Sequence, residues 1–222
     1  MAGYYTVQEG DYVARLAAQA GLASYKTIWD HPNNAQLKAK RKDPDVLFPG
    51  DQIFIPDKGT RVEPRPTEQR HKFKAKRTEV RLRMTVEDIF EKPVAQAQCV
   101  LVVDGKTLSV TTDDDGKIDE KISPMAQNAT LIIQDHQTAL NNFEIAIKIG
   151  NLDPVEERSG QVARLNNLGY FAGDPAKDAG DDDDAEARFR SAVEEFQCDF
   201  GLQVDGKCGP VTQSKLTSVH GC

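Results

Sequence analysis

The spacing of apolar residues changes twice along this chain of 222 residues, and each change marks a different kind of fold. From His71 to Gly150 apolar and polar residues alternate, as they do on half-buried strands. From Asn151 the apolar residues recur at intervals of three and four, as on helices that bury one face. Because one class of secondary structure cannot produce both patterns, the sequence predicts a multidomain α+β protein.

The alternating segment, residues 71–150, predicts a central antiparallel β-sandwich. Turn signals such as Asp104-Gly105 and Asp115-Gly116 separate its strands, and short strands with regularly spaced turns favour two packed sheets. The predicted strands are Phe73–Lys76, Val80–Met84, Ala97–Val103, Lys106–Val110, Lys117–Ile122, Ala129–Ile133 and Phe143–Ile149.

The last segment, residues 151–222, predicts three helices. The first contains Val162, Leu165 and Leu168, with Phe171 continuing the same spacing. The second, Ala185–Phe200, follows an acidic run that favours a helix N-terminus, Asp181–Asp184. The third runs from Pro210 to Val219. The residues predicted to face inward on the last two helices are Phe189, Val193, Phe196, Phe200, Val211, Leu216 and Val219.

Residues 58–70 contain prolines and charges but few apolar side chains, which predicts a linker after an N-terminal domain, residues 1–57. Residues 1–92 hold 17 Lys and Arg against 13 Asp and Glu, whereas the remainder holds 11 against 22. The basic residues near the linker alternate with other residues, so we expect a solvated strand face and no nucleic-acid partner. They are Lys72, Lys74, Lys76, Arg77, Arg81 and Arg83.

Two segments of the N-terminal domain carry a family resemblance. Tyr4–Asp11 ends in Glu-Gly-Asp, and Leu47–Pro56 reads Leu-Phe-Pro-Gly-Asp-Gln-Ile-Phe-Ile-Pro. Together they resemble LysM modules, which fold as strand, helix, helix, strand and bind N-acetylglucosamine-containing glycans such as peptidoglycan. The resemblance implies a sugar groove between the loop after the first strand and the loop before the last. Carried onto this chain, the groove residues are Gly10, Asp11, Tyr12, Val46, Leu47, Phe48 and Pro49.

Between these segments Asp11 is predicted to cap a helix that Gly21 stops. The apolar side of this helix carries Val13, Leu16, Ala17 and Ala20. The following stretch is longer than in a minimal LysM module and contains Trp29. Two interpretations of Trp29 stay open, an anchor in the core or loop and a residue that stacks on sugar.

Residues 151–222 carry a second resemblance. The segments are Leu152–Val155, Gln161–Tyr170 with Leu-Gly-Tyr at its end, Val193–Gln197 with Phe-Gln, and Val204–Thr212 with Asp-Gly-x-x-Gly-Pro-x-Thr. They resemble a three-helix peptidoglycan-binding domain, in which a longer acidic stretch, Ala172–Asp184, replaces the usual second Asp-Gly turn. The resemblance implies a second glycan site at Tyr170 and Phe171.

The order of the three domains resembles proteins encoded beside contractile injection systems, including type VI secretion clusters and phage-tail-like particles. This implies a non-catalytic accessory or cargo of the spike. Its partners would be peptidoglycan and a spike, tube or effector protein, with no cofactor. A structural adaptor that grips a spike or tube protein and has lost its glycan affinity is an alternative.

No basic start with an apolar run of roughly 7–15 residues opens the sequence, so we expect no export leader. The longest apolar run, Cys99–Val103, is far shorter than the ~20 residues that span a bilayer, so we expect no membrane insertion. The protein would be made in the cytoplasm without a signal peptide. It would act at the cell wall or periplasm, or as part of a secreted particle.

A cell-wall hydrolase is a less favoured alternative. The four histidines, His31, His71, His136 and His220, form no His-Glu-x-x-His pattern and no recognisable Cys–His setting. Among 35 acidic residues nothing singles out a glycosidase pair. We therefore predict that the chain is not an enzyme.

The cysteines and one acidic turn leave further alternatives open. We predict a disulfide between Cys208 and Cys222, which would close a loop of ~15 residues and contribute about 3 kcal/mol. Free thiols, or a zinc site formed by Cys198, Cys208, His220 and Cys222, are the alternatives, and we predict no metal. Cys99 is predicted to be a core residue. Asp113–Asp115 fits either a calcium loop or an ordinary hairpin turn.

Overall fold

The computed structural model describes residues 2–59, 64–72, 79–88, 90, 92–134, 142–175 and 183–222. Its strands and helices fall into three groups along the chain, each with its own hydrophobic cluster. The first group forms the N-terminal domain and the second forms the central domain. The predicted strand Phe73–Lys76 and the acidic residues Asp181 and Asp182 lie outside the described residues. Within the described ranges, no helix is both long and apolar enough to cross a membrane.

The first group packs short helices against a two-stranded antiparallel sheet, in which Tyr5 lies opposite Ile53. Ile53 is fully buried, and Trp29 is 5% exposed in the same cluster, so Trp29 is a core residue and offers no face to a sugar. The elements are β1 (Gly3–Thr6), α1 (Val13–Gln19), α2 (Lys26–Trp29), a 3-10 turn (Pro32–Asn34), α3 (Ala35–Arg41) and β2 (Gln52–Ile55).

The start of α1 differs from the prediction. The N-cap residue is Tyr12, whose side chain makes no capping hydrogen bond. The Asp11 carboxylate instead accepts hydrogen bonds from the Gln8 amide (3.0 Å) and the Tyr5 hydroxyl (2.9 Å). Asp11 therefore fixes the loop after β1 and does not cap the helix. Gly21, at φ +67°, follows the end of α1 as predicted.

The second group contains two antiparallel sheets around one core. One sheet pairs β3 with β6, and the other has the order β5-β4-β7-β8. Side chains of both sheets, such as Ile118 and Leu131, belong to the same hydrophobic cluster, and Cys99 is buried in it as predicted. The strands are β3 (Val80–Thr85), β4 (Gln98–Val103), β5 (Lys106–Thr111), β6 (Lys117–Ile122), β7 (Asn128–Ile133) and β8 (Phe143–Lys148).

The third group contains three helices, α4 (Arg158–Asn167), α5 (Asp183–Asp199) and α6 (Pro210–His220). Leu165, Phe196 and Leu216 meet in its core with no measurable exposure. The prediction that Val211 faces inward is wrong, because its side chain is 71% exposed. The buried side of α6 carries Thr212 and Leu216, which lie four residues apart.

Candidate glycan-binding surfaces

The loop that follows α4 carries the two aromatic residues of the predicted second glycan site. At the start of this loop, Gly169 has a φ of +91°. The Tyr170 amide that follows donates to the Leu165 carbonyl at 3.0 Å. The ring of Tyr170 meets Phe196 edge-on with the centroids 5.6 Å apart, and its hydroxyl donates to Asp199 Oδ2 at 2.8 Å. The ring and the hydroxyl of Tyr170 are thus both held by residues of α5.

Asn166 fixes the next residues of this loop from within α4. Its Nδ2 donates to the Gly173 carbonyl (2.7 Å), and its Oδ1 accepts from the Ala172 amide (2.8 Å). Phe171 lies between the anchored Tyr170 and the buried Ala172, and its side chain is 73% exposed. Because both neighbours are held, Phe171 presents an apolar ring to solvent from a backbone that has little freedom to move.

Phe171 corrects one expectation from the sequence. Its position continues the three-to-four spacing of Val162, Leu165 and Leu168, which predicts an inward side chain. However, α4 ends at Asn167, so the helical interval no longer applies at residue 171. Of the two aromatic residues in the predicted site, Tyr170 supports the loop and Phe171 is available for a ligand.

Gln197 explains the Phe-Gln and Asp-Gly elements of the sequence pattern. Its amide nitrogen lies 2.9–3.0 Å from Asp205 Oδ1, the Lys207 carbonyl and Thr212 Oγ1. Its amide oxygen accepts from the backbone amides of Asp205 (2.9 Å) and Gly206 (3.0 Å). The hydrogen bond from Gln197, followed by that from the Lys207 amide, lowers the pKa of the Asp205 carboxyl. Gln197 itself is 1% exposed, so the motif holds the loop between α5 and α6 in place.

Arg164 holds the Leu-Asp-Pro-Val segment against α4. It is 1% exposed and donates to the carbonyl oxygens of Asp153 (2.7 Å), Gly160 (2.8 Å) and Cys222 (2.7 Å). Burial lowers the pKa of this guanidinium. A side chain at Gly160 would meet the Pro154 carbonyl at 2.1 Å, so the segment lies directly on the helix. The sequence contains no signal for this role of Arg164, because isolated arginines are ordinarily exposed.

In the N-terminal group the two loops of the predicted groove lie side by side. The Gly50 amide donates to the Val7 carbonyl (2.9 Å), and the Val13 amide donates to the Pro44 carbonyl (3.1 Å). The structure therefore brings together the two walls that the LysM resemblance assigns.

Asp51 braces the second of these loops. Its carboxylate accepts from Arg41 Nε (2.6 Å) and Nη2 (2.9 Å), and from the Phe48 amide (3.1 Å). Burial by itself raises the pKa of Asp51, but hydrogen bonding to Arg41 and Phe48 and the charges of Arg41 and Lys40 together lower it. The loop before β2 is thus held by an ion pair whose side chains are 5% and 6% exposed.

Most of the predicted groove residues are closed to solvent. Gly10 is buried, as are Asp11 (6% exposed), Tyr12 (3%), Val46 (5%) and Leu47 (4%), whereas Phe48 is half-buried and Pro49 is exposed. The Tyr12 hydroxyl donates to the carbonyls of Pro124 (3.0 Å) and Ala126 (3.3 Å), in the turn between β6 and β7. Burial raises the pKa of Tyr12 to about 12. The central domain thus covers the side of the groove formed by residues 10–12.

Neither Cys208 nor Cys222 is in a disulfide in the structure, so the predicted bridge between them is not formed. Cys222 Sγ lies 3.2 Å from His220 Nδ1, and Asn167 Nδ2 lies 3.0 Å from His220 Nε2. Burial raises the pKa of the Cys208 thiol to about 11, raises that of Cys222 and lowers that of His220. Cys222 is therefore in contact with His220, and burial shifts the pKa of both thiols in the direction opposite to that of a reactive nucleophile.

The aspartates Asp113–Asp115 form a hydrogen-bonded hairpin turn. Asp113 Oδ1 accepts from the amides of Asp115 (2.9 Å) and Lys117 (2.8 Å), and Asp115 Oδ2 pairs with Lys117 Nζ at 2.9 Å. Within the part of the chain that the structure describes, no three or more His, Cys, Asp and Glu side chains are grouped to hold a metal ion. The structure thus favours the turn over a calcium loop, and it does not assemble the alternative zinc site.

Comparison with protein families found a similarity within the third group of elements. Residues 162–216 match the model of the family described as "Putative peptidoglycan binding domain". The matched stretch includes Phe171, Gln197 and most of α4 and α6. Comparisons with curated proteins and with solved structures gave no match. Residues 162–216 are therefore similar to a peptidoglycan-binding domain, which supports a general role in binding peptidoglycan.

Proposed function

We propose that this chain is a non-catalytic peptidoglycan-binding accessory or cargo protein of a contractile injection system, of the type VI secretion or phage-tail-like kind. The observation that carries the binding role is the family match of residues 162–216. The exposed ring of Phe171, held on a braced loop, supports a contact with the apolar face of a sugar ring. The domain order, which resembles that of injection-system proteins, supports the accessory role.

Substitution of Phe171 tests where peptidoglycan binds. Phe171→Ala removes the exposed ring without disturbing the core, so its affinity for purified sacculi should fall about tenfold, the loss expected for one aromatic anchor. Co-sedimentation of the full chain over a range of sacculus concentrations gives the affinity. The matched control is Phe143→Ala, which removes an aromatic ring that is 52% exposed on the central domain, and it should bind like the wild type.

Two results would contradict this site. If Phe171→Ala binds as tightly as the wild type, the ring has no part in recognition. If the wild-type chain itself stays in the supernatant at every sacculus concentration, the peptidoglycan-binding role is wrong.

The injection-system role has its own test. The full chain, carried on beads, is mixed with lysate of the source cell, and the bound proteins are identified by mass spectrometry. A spike, tube or effector protein that binds to these beads and not to empty beads would support the proposal. Recovery of wall-synthesis proteins alone would contradict the accessory role while leaving peptidoglycan binding intact.

A structural adaptor is the second candidate function, and one observation favours it. Five residues of the predicted LysM groove are buried, and Tyr12 hydrogen-bonds to the neighbouring domain. An adaptor should capture its spike or tube protein from lysate and show no affinity for sacculi. Co-sedimentation with sacculi and the pull-down from lysate, performed side by side, separate this candidate from the main proposal.

A hydrolase remains the third class to test. Purified sacculi lose turbidity when glycan strands or peptide cross-links are cut. We expect constant turbidity over hours with the full chain, because we propose binding without catalysis. Progressive clearing by the wild-type chain would overturn the non-catalytic part of the proposal.

A further inference from the structure

The turn after β8 closely contacts the loop that follows β1. A Cβ atom on Gly150 would lie 2.5 Å from Tyr12 Cδ1 and 2.8 Å from the Gly10 carbonyl oxygen. Both distances are shorter than any side chain tolerates, and Gly150 also has a φ of +81°. The central domain therefore approaches residues 10–12 with no space left for a sugar between them.

Polar contacts surround this close approach. The Tyr12 hydroxyl donates to the Pro124 and Ala126 carbonyls, and Asn151 Nδ2 donates to Glu9 Oε1 at 3.3 Å. With the Gln127 amide turned so that its oxygen faces Arg15, this oxygen accepts from both terminal guanidinium nitrogens at 2.7 and 2.8 Å. An apolar ring at the centre with a hydrogen-bonded rim is the usual composition of a specific protein–protein contact.

Arg15 links this contact to the groove itself. Its Nη1 also donates to the Gly10 carbonyl at 2.9 Å. The same guanidinium therefore holds the loop after β1 and the central domain. A sugar that entered between residues 10–12 and 46–49 would have to displace Tyr12 from the turn between β6 and β7.

We propose that the N-terminal domain docks on the central domain through the face that carries the predicted glycan residues, so that docking and sugar binding at this face exclude each other. Oligomers of N-acetylglucosamine bind there after the two domains separate. The inference rests on the resemblance of the N-terminal domain to LysM modules. It is independent of peptidoglycan binding by residues 162–216.

Gly150→Ala tests the contact, because the added methyl group cannot fit against Tyr12. The matched control is Gly105→Ala in the turn between β4 and β5. Gly105 has nearly the same φ, +79°, but a Cβ there meets nothing within 4 Å. Both substitutions strain a positive-φ turn of the central domain, and only Gly150→Ala pushes against the N-terminal domain.

Two measurements on the full chain give the outcome. Hydrogen exchange of peptides that cover residues 8–15 should become faster in Gly150→Ala and stay unchanged in Gly105→Ala. Calorimetric titration with the tetramer of N-acetylglucosamine should show an affinity at least about tenfold higher for Gly150→Ala than for the wild type and the control.

Three results would overturn the inference. Unchanged exchange at residues 8–15 in Gly150→Ala would show that the contact is not closed as described. Faster exchange without a gain in tetramer affinity would show that this face is a docking surface with no sugar site behind it. Equal, measurable affinity in all three proteins would show that the site is open in the wild type. Binding to sacculi through Phe171 is measured separately by co-sedimentation. A failure of that binding therefore cannot be mistaken for any of these results.

Discussion

Gln197 shows how one buried amide can order a loop whose side chains are mostly in water. Gln203, Val204, Asp205 and Lys207 are exposed, so this loop contributes little apolar surface to the core. Its order comes from the amide oxygen of Gln197, which accepts from two consecutive backbone amides. A glutamine is suited to this position because it donates and accepts at the same end of its side chain.

Gln197→Ala should therefore destabilise the third group of elements by about 2 kcal/mol, because two backbone amides lose their acceptor. Hydrogen exchange in α5 and α6 measures this loss. Gln203→Ala, in the same loop but exposed, is the matched control and should change exchange little. The fluorescence of Trp29, the chain's single tryptophan, reports on the N-terminal group and should be unaffected. Equal exchange in the two variants would contradict the role of Gln197.

At the residue scale, the sequence predicted what a side chain contributes to a core better than which hydrogen bonds it forms. Leu165, Phe196 and Leu216 are buried as their spacing indicates. The prediction for Val211 was wrong because it considered apolar residues alone. The polar residue beside it, Thr212, occupies the buried position. The prediction for Asp11 was wrong because a carboxylate before a helix suits either a cap or a loop. Here it accepts hydrogen bonds from the loop amide of Gln8 and the hydroxyl of Tyr5.

At the element scale, the connection between α3 and β2 depends on the pair of Arg41 and Asp51. Both side chains are almost fully buried, and two hydrogen bonds join them. Removing one member of such a pair leaves the other as a buried charge without its partner. The pair therefore fixes Phe48 and its neighbours, which form one wall of the predicted groove.

Asp51→Asn should destabilise the N-terminal group by about 3 kcal/mol at pH 7. The folded-state pKa of Asp51 is below its ordinary value of 3.8, so the stabilisation is fully present above pH 3.8. It is lost as the pH falls below that value and the carboxylate is protonated. The difference between wild type and variant should accordingly shrink in acid.

Denaturant titrations followed by Trp29 fluorescence at a series of pH values measure this difference. Asp30→Asn is the matched control, since Asp30 pairs with Lys38 at the surface of the same group, and it should cost less than about 1 kcal/mol. A destabilisation by Asp51→Asn that is small at pH 7, or that grows in acid, would contradict the ion-pair explanation.

Elements with a strong local pattern were predictable, and their pairing was not. The strand Lys117–Ile122 and the helix beginning at Pro210 have the predicted positions, because alternation and a proline at the first turn are local signals. The pairing of β3 with β6, away from the other four strands, depends on contacts between residues distant in sequence. Between β1 and β2 the structure has three α-helices and a 3-10 turn, whereas the LysM resemblance implies two helices. The sequence did not predict this difference, because the stretch has weak periodicity.

At the scale of the whole molecule, the contact between domains changes the meaning of the N-terminal face. The sequence pattern marks Gly10, Asp11 and Tyr12 by their resemblance to a glycan site, but it carries no information about the Gly150 turn that meets them. A surface between domains forms from residues about 140 positions apart, such as Glu9 and Asn151. The two candidate glycan surfaces therefore differ in the full chain, because Phe171 is exposed and Tyr12 is covered.

A titration of the isotope-labelled full chain with soluble peptidoglycan fragments, followed by amide NMR, tests this difference most directly. We predict chemical-shift changes at Tyr170–Gly173 and the neighbouring end of α4, and no changes at Gly10–Tyr12. Shifts at Gly10–Tyr12 and Val46–Pro49 of the wild-type chain, or no shifts anywhere, would contradict the proposal that peptidoglycan binds through residues 162–216 while the N-terminal face stays docked.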